Sequence, residues 1–213
     1  MDFLVVGLNH RTAPLDIREK LAVTKEQLPD TLHALGNAVG HGVVLCTCNR
    51  SEIYAMGEEP DLDEGVEAFL NDHFGVSLPD IRHYLYSYRD MDCVHHLFRV
   101  ASSLDSMILG EAEILGQVRD AFGAAVQADT VEGPLSRLFH QSLRVGKKVR
   151  RETAIGKNAL SVSRVCVQLA RNLRSDISQL KVLVIGVGEA GELAARSLKD
   201  SGVEDVIVTN RTY

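Results

Sequence analysis

The sequence lacks an apolar run near the roughly 20 residues that a membrane helix needs, and no internal repeat or low-complexity tract is visible. Its start, Met1-Asp2-Phe3-Leu4-Val5-Val6-Gly7, has no basic leader and runs straight into a strand pattern, so no signal peptide is expected. Cysteine is scarce: Cys46, Cys48, Cys93 and Cys166. The one close pair is C-x-C, which fits neither a zinc spacing nor a disulfide framework, so no metal site and a reducing, cytoplasmic compartment are expected. A net charge of −6 does not advertise nucleic-acid binding, although the charge is unevenly spread. What remains is an ordinary globular composition, 45% hydrophobic and 24% charged over 213 residues, enough for one large domain or two small ones.

The pattern of elements is more telling. Residues 3–8 read as a strand, 25–38 as a helix with Leu28, Leu32 and Leu35 on one face, 43–45 and 51–54 as paired strands. A helix over 61–74 follows, then an alternating strand over 81–88. This β-α-β-β-α-β order fits a ferredoxin-like α+β sandwich. Further helices are predicted at 90–103, 111–128, 134–153 and 159–174, then a strand at 181–185, a helix at 189–201 and a strand at 205–208. The fold class is therefore α/β: a ferredoxin-like sandwich with added helices (1–155), followed by the first part of a Rossmann-type dinucleotide-binding domain (156–213).

Two turns stand out. Val43-Val44-Leu45 delivers Cys46, Thr47, Cys48, Asn49 and Arg50 into a turn between strands. A thiol there, two residues from a guanidinium, suits an activated nucleophile, because positive charge lowers a thiol pKa. The alternative is a cysteine serving as a small buried hydrophobe. The second turn, Gly186-Val187-Gly188-Glu189-Ala190-Gly191, is G-x-G-x-x-G between a strand and a helix. Its glycines suit a tight turn and close approach of a pyrophosphate to the backbone. About 20 residues on, where an NAD enzyme has an acid, Thr209-Asn210-Arg211-Thr212 offers Arg211, which favours NADPH. A single β-α-β unit reads as the start of a longer cofactor domain, so the chain is expected to be a portion of a larger enzyme.

The run TCNRSE resembles the active-site motif of glutamyl-tRNA reductases. NHRTAP at 9–14, SMILGEAEILGQ at 106–117 and RVGKKVRRETAIG at 144–156 are similar to further segments of that family, and Ser102-Ser103-Leu104-Asp105 departs from its usual Ser-Gly-Leu-Asp. The resemblance implies NADPH-dependent reduction of glutamyl-tRNA(Glu) to glutamate-1-semialdehyde, the first step of tetrapyrrole synthesis. Cys48 would form a thioester with the glutamyl group, and without hydride that thioester can only be hydrolysed. It implies His96 as the functionally important histidine. Thr47, Asn49, Arg50, Ser106, Glu111, Ala112, Glu113 and Gln117 become the substrate pocket, with Arg50 on a carboxylate and the acids on the α-ammonium. It further implies a homodimer in the full-length family and glutamate-1-semialdehyde aminomutase as a partner. Each segment also has a plainer reading. A histidine at the start of a helix is often structural, Glu111 and Glu113 could simply favour a helix N-terminus, and Asn9–Pro14 could be a turn. The basic run Arg137, Arg144, Lys147, Lys148, Arg150, Arg151 and Lys157 is either a solvated face or a phosphate-binding patch. Two rival functions are a non-catalytic tRNA- or partner-binding fragment and a dehydrogenase of shikimate-dehydrogenase type, which would not need Cys48.

Overall fold

A computed structural model describes residues 2–155, 162–174, 176–186 and 188–210. The chain forms two compact units, Met1–Gly156 and Lys157–Tyr213.

In the first unit, strands β1 (Asp2–Asn9), β2 (His41–Cys46), β3 (Arg50–Gly57) and β4 (Tyr86–Arg89) make one antiparallel sheet in the order β2-β3-β1-β4. With helices α2 (Leu28–Val39) and α3 (Asp61–Phe74), this is the ferredoxin-like arrangement. The short α1 (Leu15–Lys20) precedes them. A sheet with one wet face alternates buried and exposed residues, but β3 is buried from Arg50 through Met56. Both its faces are therefore covered. Helices α2 and α3 pack on one side, and α5 (Asp90–Ala101), α6 (Glu113–Gln127) and α7 (Gly133–Glu152) supply the second layer. Tyr54 of β3 meets Phe139 of α7 edge-to-face at 5.4 Å, and Phe139 stacks on Phe122 of α6.

Two expectations need correction. The strand predicted over 81–88 is confined to Tyr86–Arg89; before it lie α4 (Leu78–Ile81) and a 3-10 turn (Arg82–Tyr84). Pro79 suits the first turn of a helix, and Ile81, only 1% exposed, anchors that turn in the core rather than alternating along a strand. The helix predicted from 111 begins at Glu113, so residues 102–112 form a loop. Ser103 (φ 58°) and Gly110 (φ 82°) both adopt left-handed backbone that a helix cannot contain.

The second unit holds α8 (Val162–Leu173), β5 (Lys181–Ile185), α9 (Glu189–Asp200) and β6 (Asp205–Thr209), with β5 and β6 parallel. Its small core is built on Val167, Ile177, Leu198 and Val203. Among the described residues no helix is long and apolar enough to cross a membrane.

Candidate active site

Alternation along β3 puts Arg50, Glu52 and Tyr54 on one face, under α5 and α7. The register of β1 places Gly7 opposite both Glu52 and Tyr86. A β-carbon at Gly7 would lie 2.8 Å from the Glu52 side chain, so its absence leaves room for the carboxylate. Glu52 and Tyr86 meet across this bare position, with Tyr86 donating to Oε1 at 2.5 Å. Tyr54 donates to Oε2 at 2.8 Å, Arg50 Nη1 to Oε1 at 2.7 Å, and His96 Nε2 lies 2.7 Å from the same oxygen. Burial alone would raise the Glu52 pKa, but the His96 hydrogen bond and the Arg50 charge hold it down to about 2. The carboxylate is then acceptor-only, which assigns the proton on His96 to Nε2. Burial and the same negative charge push both tyrosine hydroxyls up.

These facts change two readings. Arg50 is 2% exposed, and its fork is filled by Glu52, the Asp105 carbonyl and the Asp105 carboxylate at 3.6 Å. It is therefore a buried structural cation rather than an open grip for a substrate carboxylate. His96 sits in the middle of α5, not at its start, and is 7% exposed. Among the described residues its ring contacts Glu52, Asp105 (4.0 Å from Nδ1), Tyr86 and Tyr88, with no bond to Cys48.

The cysteine turn lies at the end of this network. Thr47 builds it: its N–H donates to Arg50 O at 2.8 Å, and its hydroxyl accepts from the Asn49 and Arg50 amides at 3.1 and 3.2 Å. Cys48 is exposed at the tip. Arg18 of α1 donates from Nη1 to the Cys48 carbonyl at 2.5 Å, and the His10 amide donates to Asn49 O at 2.9 Å. The expectation that Arg50 lowers the thiol pKa is overturned. Desolvation of the thiol and the Glu111 charge raise it, with Glu113 adding to the rise, while a backbone hydrogen bond to the sulfur and, more weakly, the Arg18 charge oppose them. Cys46 serves instead as packing, its sulfur accepting from Val23 N at 3.2 Å, while burial pushes Cys93 up to about 12.

Around the turn, Asn9 folds the 9–13 segment by accepting the Arg11 amide on its side chain and the Ala13 amide on its carbonyl. Burial and the charges of Arg11, Arg50 and Arg18 hold the His10 pKa low. His10 Nδ1, Arg18 Nε and Ser106 Oγ are buried polar atoms without a protein partner. Glu111 from the loop and Glu113, the first residue of α6, act on the thiol through their charge. Ala112 caps that helix, and Gln117 follows one turn after Glu113. Among the described residues no cluster of His, Cys, Asp and Glu is placed to hold a metal.

Sequence reasoning missed Arg18, Glu52, Asp105 and Tyr86. A signal for part of this existed: Arg50-x-Glu52-x-Tyr54 on a strand with apolar neighbours is a period-2 polar face, which demands a buried partner set.

In the second unit, Gly186 (φ 98°) takes the turn, with its N–H on Thr209 O at 2.8 Å. A β-carbon at Gly191 would lie 2.0 Å from Gly186 O. Gly188 caps α9, no side chain caps its first amides, and Glu189 and Ala190 form that first turn. A pyrophosphate fits this cradle of uncapped amides. Val187 and Arg211 lie outside the described residues. On α7, Arg137, Arg144, Lys147, Lys148 and Arg151 are exposed along one stripe; Lys157 also lies outside the described residues.

Residues 6–153 match the family described as "Glutamyl-tRNAGlu reductase, N-terminal domain", and 168–213 match "Shikimate / quinate 5-dehydrogenase". The second match is confined to the unit with the glycine turn. Glutamyl-tRNA reductase of Carboxydothermus hydrogenoformans is 47% identical over 100% of this chain and 48% of its own length. That of Marinomonas sp. is 41% identical over 100% and 51%. The solved glutamyl-tRNA reductase from Methanopyrus kandleri superposes with a TM-score of 0.64 at 33% identity, covering 99% of this chain and 50% of that one. The chain spans about half the length of these relatives.

Proposed function

The chain belongs to the glutamyl-tRNA reductase family, and on that premise we propose that it takes the glutamyl group of glutamyl-tRNA(Glu) onto Cys48. In this reading the Cys48 thiolate attacks the ester carbonyl, the bond to the tRNA ribose oxygen breaks, and that oxygen takes up a proton. The product is a thioester and free tRNA. A nicotinamide cofactor, proposed here to be NADPH because of Arg211, would be held at Gly186–Gly191 and would supply hydride to the thioester carbonyl, the bond to Cys48 sulfur breaking so that the thiolate is regenerated and glutamate-1-semialdehyde is left for tetrapyrrole synthesis.

The observation that carries this reading is an exposed thiol on a rigid turn with two acids facing it. Burial and, after it, these acids hold the thiol pKa above its ordinary value. A substrate α-ammonium between Glu111 and Glu113 would neutralise them and favour the thiolate, so the nucleophile forms when its substrate is present. Ser106, Ala112 and Gln117 line the pocket with them, and Thr47 and Asn49 fix the turn. With Arg50 occupied, Arg18 is the cation available to a substrate carboxylate. His96, held by Glu52 through Nε2, is the group assigned to proton movement. A cytoplasmic setting, a homodimer of the full-length protein and hand-over of the reactive aldehyde to glutamate-1-semialdehyde aminomutase belong to the same reading.

Deacylation of glutamyl-tRNA by this chain without cofactor tests it. Glutamate and tRNA should be released by the wild type and not by Cys48→Ser; equal release by both would refute the nucleophile.

A further inference from the structure

The loop over residues 102–112, without regular structure of its own, brings Asp105 to Arg50 and the Glu111 charge within reach of Cys48. Its tip offers little to the core, since Leu104, Met107 and Leu109 are 39%, 57% and 61% exposed. Arg50 and Arg11 hold Asp105 in its middle, and its two ends are held from the last turn of α7. Arg150 donates from Nη2 to Ser103 Oγ at 2.6 Å and from Nη1 to Gly110 O at 3.2 Å. Ser103 Oγ in turn donates to Glu111 O at 2.6 Å, and Gly110 N–H donates to Ser103 O at 3.1 Å. One guanidinium and one hydroxyl thus tie both ends of the loop to each other and to a helix.

The two residues carry marks of this task. Ser103 is fully buried and holds left-handed backbone, a conformation in which a residue other than glycine is strained. Glycine would sit there without strain but could not make either bond. Arg150 belongs by sequence to the basic run of α7, yet it is half-buried, whereas Arg144, Lys147, Lys148 and Arg151 are exposed. Its fork is spent on the loop.

We propose that Arg150 and Ser103 are positioning residues, a latch that sets where the pocket loop, and Glu111 with it, stands relative to Cys48. The proposal rests on the reading of Cys48 as acyl acceptor. Through Glu111 the latch governs substrate affinity more than the rate once substrate is bound. The charged groups that face the thiol are Glu111 from the loop, Glu113 from α6 and Arg18 from α1. Only the first moves with the latch.

The test is the pH dependence of Cys48 alkylation by iodoacetamide in the full chain, resolved by peptide mass spectrometry, for wild type, Arg150→Ala, Arg150→Lys and Ser103→Gly. Alongside it, glutamyl label on Cys48 is followed against glutamyl-tRNA concentration. Arg150→Ala should move the alkylation midpoint to lower pH as Glu111 withdraws. It should raise the half-saturating glutamyl-tRNA concentration roughly tenfold with a nearly unchanged plateau rate. Arg150→Lys, which keeps the charge but loses the fork, should fall between, and Ser103→Gly should shift both readouts less and in the same direction. A folded Arg150→Ala with an unchanged midpoint overturns the proposal, even if half-saturation rises, because that pattern marks a direct phosphate contact. Should Arg150→Ala fail to fold by circular dichroism, an unchanged midpoint in Ser103→Gly overturns it instead. A shifted midpoint in a chain whose Cys48 never takes label would support the latch and refute the acyl-acceptor reading.

Discussion

The cysteine turn and the glycine turn are held in opposite ways. Cys48 stands on a turn whose geometry depends on side chains from several elements: Arg18 on its carbonyl, and beneath it the buried set of Arg50 and Glu52 with the distant His96 and Asp105. Among the described residues the glycine turn is held through its backbone, by Gly186 N–H on Thr209 O, Glu192 N–H on Gly188 O and the close approach of Gly191 to Gly186. Covalent chemistry needs a nucleophile placed against a carbonyl within tenths of an ångström, and only a large packed core with a saturated polar network supplies that rigidity. Binding a pyrophosphate needs uncapped amides at a helix start, which a local turn provides.

Five changes would sharpen or break this contrast. The largest effect belongs to Cys48→Ser, which should abolish acyl transfer by at least about a thousandfold while leaving nucleotide binding, read by fluorescence titration of NADPH, unchanged. Next is the network. Glu52→Gln should destabilise the first unit by roughly 3 kcal/mol in urea, because it leaves Arg50 and His96 without their shared carboxylate. The pH dependence of the wild type follows from the depressed Glu52 pKa. Its contribution is present above the ordinary carboxylate value near 4.5 and is lost as pH falls through about 2. The wild-type chain should therefore lose stability across that window, and Glu52→Gln should show a flatter acid limb. Gly191→Ala is the mirror image of Cys48→Ser: a clash with Gly186 O should weaken NADPH binding by roughly tenfold or more, with acyl transfer intact. Glu111→Gln removes an acid that raises the thiol pKa, so alkylation of Cys48 near neutral pH should quicken a few-fold. The smallest change is at the basic stripe, where Arg144→Gln with Lys148→Gln should weaken tRNA binding several-fold and flatten its salt dependence.

How much of this could be read from the chain differs between the two turns for the same physical reason. The glycine turn is local, so strand, glycine spacing and helix sufficed to place Gly186, Gly188 and Gly191. The ferredoxin-like order was also legible, because apolar runs such as Val43–Leu45 and the helical spacing of Leu62, Val66, Phe69 and Leu70 are local signals. The cysteine turn was found by its motif but misjudged in its electrostatics. Arg50 is two residues from Cys48 in sequence, yet strand alternation turns it inward, and the cation that touches the turn is Arg18, thirty residues back. The meeting of Glu52 with Tyr86 across Gly7 depends on two strand registers that no short window encodes. The helix expected from 111 starts two residues later, at Glu113; the acids and apolar residues of this stretch mimic a capped N-terminus. Gly110 holds left-handed backbone just ahead of it, a conformation set by the tertiary fold and not visible in a short window.

The central claim is that Cys48 accepts the glutamyl group, and labelled glutamyl-tRNA tests it most directly. Mixing with this chain, quenching in acid and peptide mass spectrometry should find the glutamyl mass on the peptide containing Cys48, and on no peptide of Cys48→Ser. Label on another residue, or none on a folded chain that binds glutamyl-tRNA, would contradict the account.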